Sequence, residues 1–246
     1  MEVLGIDIGG TGIKGAPVDV SAGTLTKPRV KVPTPRPALP DDVVNAVRGL
    51  VTGFGWTGPV GITFPGVVIK GVIHTAVNLD PAWEGQDGRA LFSKATGQEC
   101  DVLNDADAAG HAEMKFGAGK GEDGTVLMLT FGTGIGSALF IRGLLVPNTE
   151  FGHIQIRGKD AEHRASEKAR EENDLSWSKW ASRVDEYLAH MEALLSPDLF
   201  IIGGGISVKS DKFLPELTGL RARVVPATLH NDAGIVGAAL AAVPGA

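Results

Sequence analysis

The stretch Val3-Leu4-Gly5-Ile6-Asp7-Ile8-Gly9-Gly10-Thr11-Gly12-Ile13-Lys14 decides how this chain is read. The apolar run Val3 to Ile6 predicts a strand, Asp7 stands at its end, and Gly9, Gly10 and Gly12 form the turn that follows. Glycine lets the backbone take φ > 0 and come close to a ligand, so successive N–H groups can converge on an anion. The pattern recurs at Thr130-Phe131-Gly132-Thr133-Gly134-Ile135-Gly136, directly after the apolar run Val126 to Leu129. Between the two lies Asn104-Asp105-Ala106-Asp107, again at the end of a short apolar strand. One strand–glycine turn is common in ordinary hairpins. Two of them, each with a threonine hydroxyl, point to two hairpins gripping a phosphate donor with an acid opposite.

Composition narrows the class. The 246 residues are 43% hydrophobic and 21% charged, which fits one large or two small globular domains. A net charge of −6 argues against non-specific binding to nucleic acid or to a membrane surface. The single cysteine, Cys100, excludes an intramolecular disulfide and a cysteine-rich metal cluster. The absence of a basic-plus-apolar leader and of any membrane-length apolar run leads us to expect a soluble, cytoplasmic protein.

Outward from the first turn, Val3–Asp7, Ile13–Val20 and Thr24–Val32 predict an antiparallel meander. Asp41 and Asp42 open a helix with Val43, Val44, Val47, Leu50 and Val51 at helical spacing. Val60–Phe64 reads as a buried strand ending at Pro65-Gly66, and Val67–Ile69 with Val72–Ile73 as a hairpin. Cys100–Leu103 is a further strand, and Asp105 takes the N-cap place ahead of a helix over Ala106–Phe116. The strand–turn–strand pattern restarts at Thr125. A charged, helical stretch from Lys159 to Glu172 and an amphipathic helix from Ser176 to Leu195 follow. Phe200–Ile202 ends in a third glycine turn, Gly203-Gly204-Gly205, and Asn231-Asp232 caps an Ala/Gly-rich closing helix. The two halves echo each other, which predicts two similar α/β lobes with a cleft between them.

The segment Asp7 to Lys14 resembles the first phosphate motif of the actin/hexokinase ATPase superfamily, in the form carried by sugar kinases of the ROK family. Leu129 to Gly136 resembles the second phosphate motif, and Asn104-Asp105 the catalytic segment. Glu150-Phe151-Gly152-His153 resembles the sugar-binding element, and Ile202 to Ile206 the nucleotide-side glycine turn. The motifs run in family order along essentially the whole chain. Gly158 to Glu162, with Asp174-Leu175-Ser176-Trp177, is most similar to members that phosphorylate glucose with polyphosphate.

The resemblance implies a two-lobed actin-like ATPase (ribonuclease H-like) α/β architecture with a central cleft. Its small lobe would comprise residues 1–105, with the C-terminal helix 232–246 packing back on it, and its large lobe residues 106–231. It implies a kinase making glucose 6-phosphate from glucose and inorganic polyphosphate or ATP, as a homodimer. A strictly ATP-dependent glucose or glucose/mannose kinase and a non-catalytic sugar-binding protein are the alternatives. Asp105 is the expected base, with helix capping as its competing role. Gly9, Gly10, Thr11, Gly12 and Lys14, together with Thr130, Gly132, Thr133, Gly134 and Gly136, are the expected phosphate ligands. Gly203, Gly204 and Gly205, with Lys209 and Lys212, stand on the nucleotide or polyphosphate side, and Lys115, Lys120 and Arg142 are further cations that could line a donor track. Pro65, Gly66, Asn78, Asn104, Glu150, His153 and Glu162 join Asp105 as the sugar set, since vicinal diols need paired donors and acceptors. Glu162 reads equally as part of a solvated charged helix. Asp7, either a strand-end turn residue or a metal holder, would hold Mg2+ through water, because magnesium prefers oxygen and keeps its hydration shell. Many family members follow the sugar-binding element with zinc-binding cysteines. None follows His153 here, so no structural zinc is expected.

Overall fold

The computed structural model describes residues 1–243, so residues 244–246 of the expected closing helix lie outside the described residues. The chain divides into two units, Met1–Ala112 with residues from Asp232 onward, and Glu113–Asn231.

The first unit opens with β1 (Glu2–Ile8), β2 (Gly12–Asp19), β3 (Thr24–Leu25) and β4 (Val30–Pro33). β1 and β2 are antiparallel with Asp7 opposite Lys14, and both β3 and β4 pair with β2. The expected single strand over Thr24–Val32 is therefore two strands, interrupted around Pro28, which has no N–H to give a ladder. Pro40 starts α1 (Pro40–Gly53), Asp41 and Asp42 fill its first turn, and its valines and Leu50 are buried. After β5 (Val60–Phe64) come the hairpin β6 (Val68–Ile69) and β7 (Val72–Ile73), α2 (Gly88–Thr96), β8 (Cys100–Asn104) and α3 (Asp105–Phe116). The sheet order is β3-β2-β1-β5-β8, with β1, β5 and β8 parallel. The boundary between units falls inside α3, after Ala112 and not at residue 105. Trp83 packs between Phe64 and Phe92 in this unit's core, with ring centroids at 5.0 and 5.8 Å.

The second unit comprises β9 (Thr125–Phe131), β10 (Ile135–Ile141), β11 (Leu144–Val146), the hairpin β12 (Gln155–Ile156) and β13 (Lys159–Asp160), α4 (Glu162–Ala165), α5 (Glu167–Glu172), α6 (Trp177–Leu195), β14 (Leu199–Gly203) and β15 (Arg223–Pro226). Its main sheet runs β11-β10-β9-β14-β15, with β9, β14 and β15 parallel. The charged stretch from Lys159 to Glu172 is not one helix. It begins as a strand, and the buried Ser166 ends α4 and caps α5 by accepting the Ala169 N–H. Ser176 caps α6 in the same way through the Lys179 N–H. Trp180, Tyr187, Phe131 and Phe213 fill the core beneath.

The chain then returns to the first unit as α7 (Ala233–Ala241). Asp232 does not cap this helix through its side chain. Its carboxylate is drawn instead to Arg29, at 2.7 Å. α7 lies directly on the parallel strands because Gly5 and Gly61, register partners on β1 and β5, present no side chains. A Cβ at Gly5 would collide with the Ile235 carbonyl, and one at Gly61 with the Ala238 carbonyl. Gly237 on α7 lets α3 approach equally closely, against the Ala108 carbonyl.

This packing yields opposite outcomes for two glycine-to-alanine changes. Gly61→Ala forces backbone apart and should cost at least about 2 kcal/mol. Gly49→Ala, on α1 with nothing within 4 Å of the new methyl, should add about 0.5–1 kcal/mol through helix propensity. Urea midpoints at matched m-values check both.

Candidate active site

Parallel register brings the first set of residues to one edge of the first sheet. Asp7 is opposite Thr63, Thr63 is opposite Leu103, and Phe64 is opposite Asn104. The carboxyl ends of such strands are where ligands bind in open α/β sheets. Asp7 Oδ1 accepts the Thr63 hydroxyl at 2.9 Å, and Lys14 Nζ lies 3.2 Å from Asp7 Oδ2. Lys14 is thus engaged by Asp7. The glycine turn closes through the Gly9 N–H donating to the Gly12 carbonyl (3.0 Å), with Thr11 exposed at its tip. The buried Thr34 donates its hydroxyl to the Gly9 carbonyl at 2.5 Å. Gly10 lies against Asn78, and the Lys31 side chain crosses Gly12.

Asn104 settles the ambiguity at the start of α3. Its Oδ1 accepts the N–H groups of Ala106 (2.8 Å) and Asp107 (3.0 Å), and its Nδ2 donates to the Gly66 carbonyl (3.0 Å). The capping role expected for Asp105 therefore belongs mainly to Asn104, although Asp105 Oδ1 also accepts the Ala106 N–H at 2.8 Å. Asp107, the neighbouring carboxylate, is buried beneath the helix, whereas Asp105 is only half-buried. Gly66, following the buried Pro65, is pressed on Thr75 so closely that a Cβ would strike the Thr75 carbonyl.

In the second unit the residues converge on Ile135, the first residue after the second glycine turn. That turn closes through the Gly132 N–H donating to the Gly134 carbonyl (3.0 Å), with Thr133 exposed. The Ile135 N–H donates to Glu162 Oε2 at 3.2 Å, and this carboxylate fills the space a Gly134 side chain would need. Gly152 packs on the Ile135 carbonyl at a distance that excludes a Cβ, which places Glu150 and His153 beside the same turn. Burial pushes the Glu150 carboxyl above the usual carboxylate range; Glu162 adds to this and His153 opposes it. His153 Nε2 is 3.9 Å from Glu150 Oε2, and its Nδ1 is 3.1 Å from Asp160 Oδ2. Burial alone lowers the imidazole pKa, but the Asp160 hydrogen bond and the charges of Glu162, Glu150 and Asp160 outweigh it and leave it raised.

Thr130, at the end of β9, is opposite Gly136 on β10 and Gly203 on β14, so the second and third glycine turns start side by side. Gly204 has φ of 82° and lies on the Phe131 carbonyl, a position only glycine fills without strain. The Lys168 N–H donates to the Gly132 carbonyl (3.0 Å), and Gly205 lies near Glu167. Lys209 and Lys212 gather with Arg170 around Trp177, at 6.0, 5.4 and 4.3 Å from its rings. Lys209 is also 3.7 Å from Glu167. Arg142 is not near these turns; it sits in the β10–β11 turn, at the other end of the β9–β10 hairpin. Lys115 stands over Phe116. Sequence reasoning gave no role to Thr63, Thr34, Lys31 and Arg170, which come to these turns by pairing across strands or packing between elements. Asp160 and Trp177 lie in stretches that carried the resemblance, but neither was given a role of its own.

Residues 3–166 match the ROK family. The polyphosphate glucokinase of Mycobacterium tuberculosis (strain ATCC 25618 / H37Rv) is 52% identical over 241 residues, covering 98% of this chain and 91% of that protein. The crystal structure of an inorganic polyphosphate/ATP-glucomannokinase from Arthrobacter sp. strain KM matches with a TM-score of 0.94 at 50% identity, over 98% of this chain and 97% of that one. A ROK family glucokinase from Streptomyces griseus, in complex with glucose and AMPPNP, matches with a TM-score of 0.84 at 27% identity, over 98% and 99% of the two chains. The chain belongs to the ROK family, and its fold is the actin-like ATPase fold of those sugar kinases.

With Asn104 as the main cap, Asn104→Ala should cost about 1–2 kcal/mol, and Asp105→Ala, which removes the other capping oxygen, should cost less. Denaturant titration of both variants checks this, and the reverse ranking would return the cap to Asp105.

Proposed function

We propose that this ROK-family chain phosphorylates glucose at its 6-hydroxyl, using inorganic polyphosphate as phosphoryl donor and ATP as an alternative. What carries this reading is an end-to-end match, at about half identity, to relatives whose names specify polyphosphate as donor. The likeness to a glucomannokinase favours mannose as a second acceptor.

In this reaction the 6-hydroxyl oxygen attacks the terminal phosphorus of the donor. The bond from that phosphorus to the chain breaks, and polyphosphate leaves one unit shorter. Phosphoryl transfer depends mostly on positioning and on stabilising charge spread over the equatorial oxygens. The first unit supplies N–H groups of Gly10 to Gly12 and the Thr11 hydroxyl, with Lys14 and Lys31 as cations, while the Gly9 N–H closes the turn. The second supplies N–H groups of Thr133 and Gly134, with the hydroxyls of Thr130 and Thr133, while Gly132 and Gly136 let the chain turn there. Asn104, Glu150, His153 and Glu162 orient the sugar, and Pro65, Gly66 and Asn78 shape its surroundings. Asp105 orients the 6-hydroxyl and accepts its proton. The Gly203–Gly205 turn, with Lys209, Lys212 and Arg170, holds the rest of the donor.

Among the described residues no cluster of three or more His, Cys, Asp or Glu side chains forms a metal cage. A lone carboxylate such as Asp7, with Thr63 fixing one of its oxygens, fits an ion that keeps its water, as Mg2+ does. Such an ion, held by Asp7 through water, would neutralise charge on the donor phosphates.

The direct test is glucose 6-phosphate formation from purified polyphosphate without nucleotide; no product would leave the ATP-dependent reading. Asp105→Asn should keep glucose binding and lower kcat by about a hundredfold to ten-thousandfold. More than a tenth of wild-type kcat would remove Asp105 as the base. Neutralising Lys209 and Lys212 together should raise the polyphosphate KM more than the ATP KM, because a polyanion with no base depends on cations for affinity. Equal losses with both donors would remove these lysines from a polyphosphate-specific role.

A further inference from the structure

We propose that Asp160 is a positioning residue for the sugar: its carboxylate holds His153 by Nδ1, so that Nε2 faces the sugar hydroxyl beside Glu150. This rests on the reading of Glu150 and His153 as sugar ligands. The geometry is built in three steps. Gln155 and Asp160 are register partners across the β12–β13 hairpin. Its turn uses two residues with positive φ, Arg157 at 53° and Gly158 at 75°, which matches the twist of the flanking strands. The hairpin is then tied to α6, because Arg157 Nε lies 2.6 Å from Glu186 Oε1, and Arg164 on α4 lies 2.8 Å from the other oxygen of Glu186.

On this support the Asp160 carboxylate is held from both sides. Gln155 Nε2 donates to Oδ1, and Oδ2 is 3.1 Å from His153 Nδ1. A carboxylate at Nδ1 favours the tautomer with hydrogen on that nitrogen. In the neutral ring Nε2 is then a bare acceptor, ready for the proton of a sugar hydroxyl. The charged groups facing His153 are Glu150, Glu162 and Asp160. Asp160 is the one within hydrogen-bond distance of a ring nitrogen; Glu150 lies 3.9 Å from the other. Without Asp160 the ring is free to turn and to change tautomer, and the sugar loses an oriented partner while the chemistry at phosphorus is untouched.

The test uses the full chain. Asp160→Ala should raise the glucose KM about tenfold, the effect of one charge-assisted hydrogen bond, with kcat within about threefold and the polyphosphate KM unchanged. In a His153→Ala background the same change should add no more than about twofold, because its effect passes through the ring. Nitrogen–proton spectra of the imidazole should show Nδ1 protonated in the wild type. Asp160→Asn, which keeps the volume and serves if the alanine variant does not fold, should lower the His153 titration midpoint. A glucose KM unmoved by Asp160→Ala but raised by His153→Ala overturns the proposal and leaves the sugar site standing. Independent, multiplying losses in the double variant, or an unmoved midpoint in Asp160→Asn, also overturn it. A glucose KM unmoved by His153→Ala removes the sugar-site reading itself, and the proposal with it.

Discussion

Backbone against backbone, at α7, is the contact on which the first unit depends. Gly5 and Gly61 lie side by side on β1 and β5, and α7 descends onto them until its own carbonyls occupy the space of the missing side chains. Close packing of this kind leaves almost no freedom to shift, since protein interiors are as dense as organic crystals. The consequence reaches the site. Gly234, at the start of α7, lies against the Asp7 carboxylate, so the helix that fixes the sheet also bounds the acid at its edge. The amino end of a helix carries partial positive charge, which suits a carboxylate there. Asp7 is consequently held by Thr63, Lys14 and the start of α7 together.

The second unit solves the same problem with one residue in place of a helix. Ile135 gives its N–H to Glu162 and its carbonyl to the close approach of Gly152. Both neighbours of the glycine turn are thereby fixed by main-chain groups, which do not rotate away as side chains do. Ser137, two residues further along β10, extends this by accepting the Phe151 N–H and donating to the Thr149 carbonyl. The glycine of the Glu-x-Gly-His element is thus required by packing, independently of any ligand. The residues around it are placed by the sheet, which is the rigid support a binding constellation needs.

What the sequence made legible follows from where the information sits. Strand–glycine turn–strand units are local: β1 and β9 contain the apolar runs Val3 to Ile6 and Val126 to Leu129, and β2 and β10 start where the glycine turns close. Caps are local too, but more than one residue can compete for them. Asn104 and Asp105 are adjacent, both prefer the N-cap, and only the path of the chain decides that Asn104 takes it. Asp232 lost the same competition because Arg29, distant in sequence, claims its carboxylate. α2 is bounded by Asp87, which accepts the Ala90 N–H, and by Gly97 in the left-handed region. Those two signals were readable, but the helix between them is only 9 residues long, with Phe92 its one large buried side chain. Arg142 failed as a donor-track candidate for a reason of distance. One β-strand separates it from the glycine turn, and a strand advances about 3.3 Å per residue.

At the half-buried Glu150, burial and charge pull against each other. Glu150 is raised above its unfolded value, mainly by burial, so the folded chain holds its proton more tightly than the unfolded chain does. Stability from this group is therefore fullest in acid and is lost as pH rises through the raised value. At neutral pH an ionised Glu150 works against folding, and Glu162 nearby makes the opposition stronger. His153 counters it in part, but 3.9 Å is too long for a direct hydrogen bond. A sugar hydroxyl donating to Glu150 would supply the interaction that burial removed from water. On the proposed reading, a polyol bound beside Glu150 would give the carboxylate a donor at hydrogen-bond distance, which His153 at 3.9 Å does not.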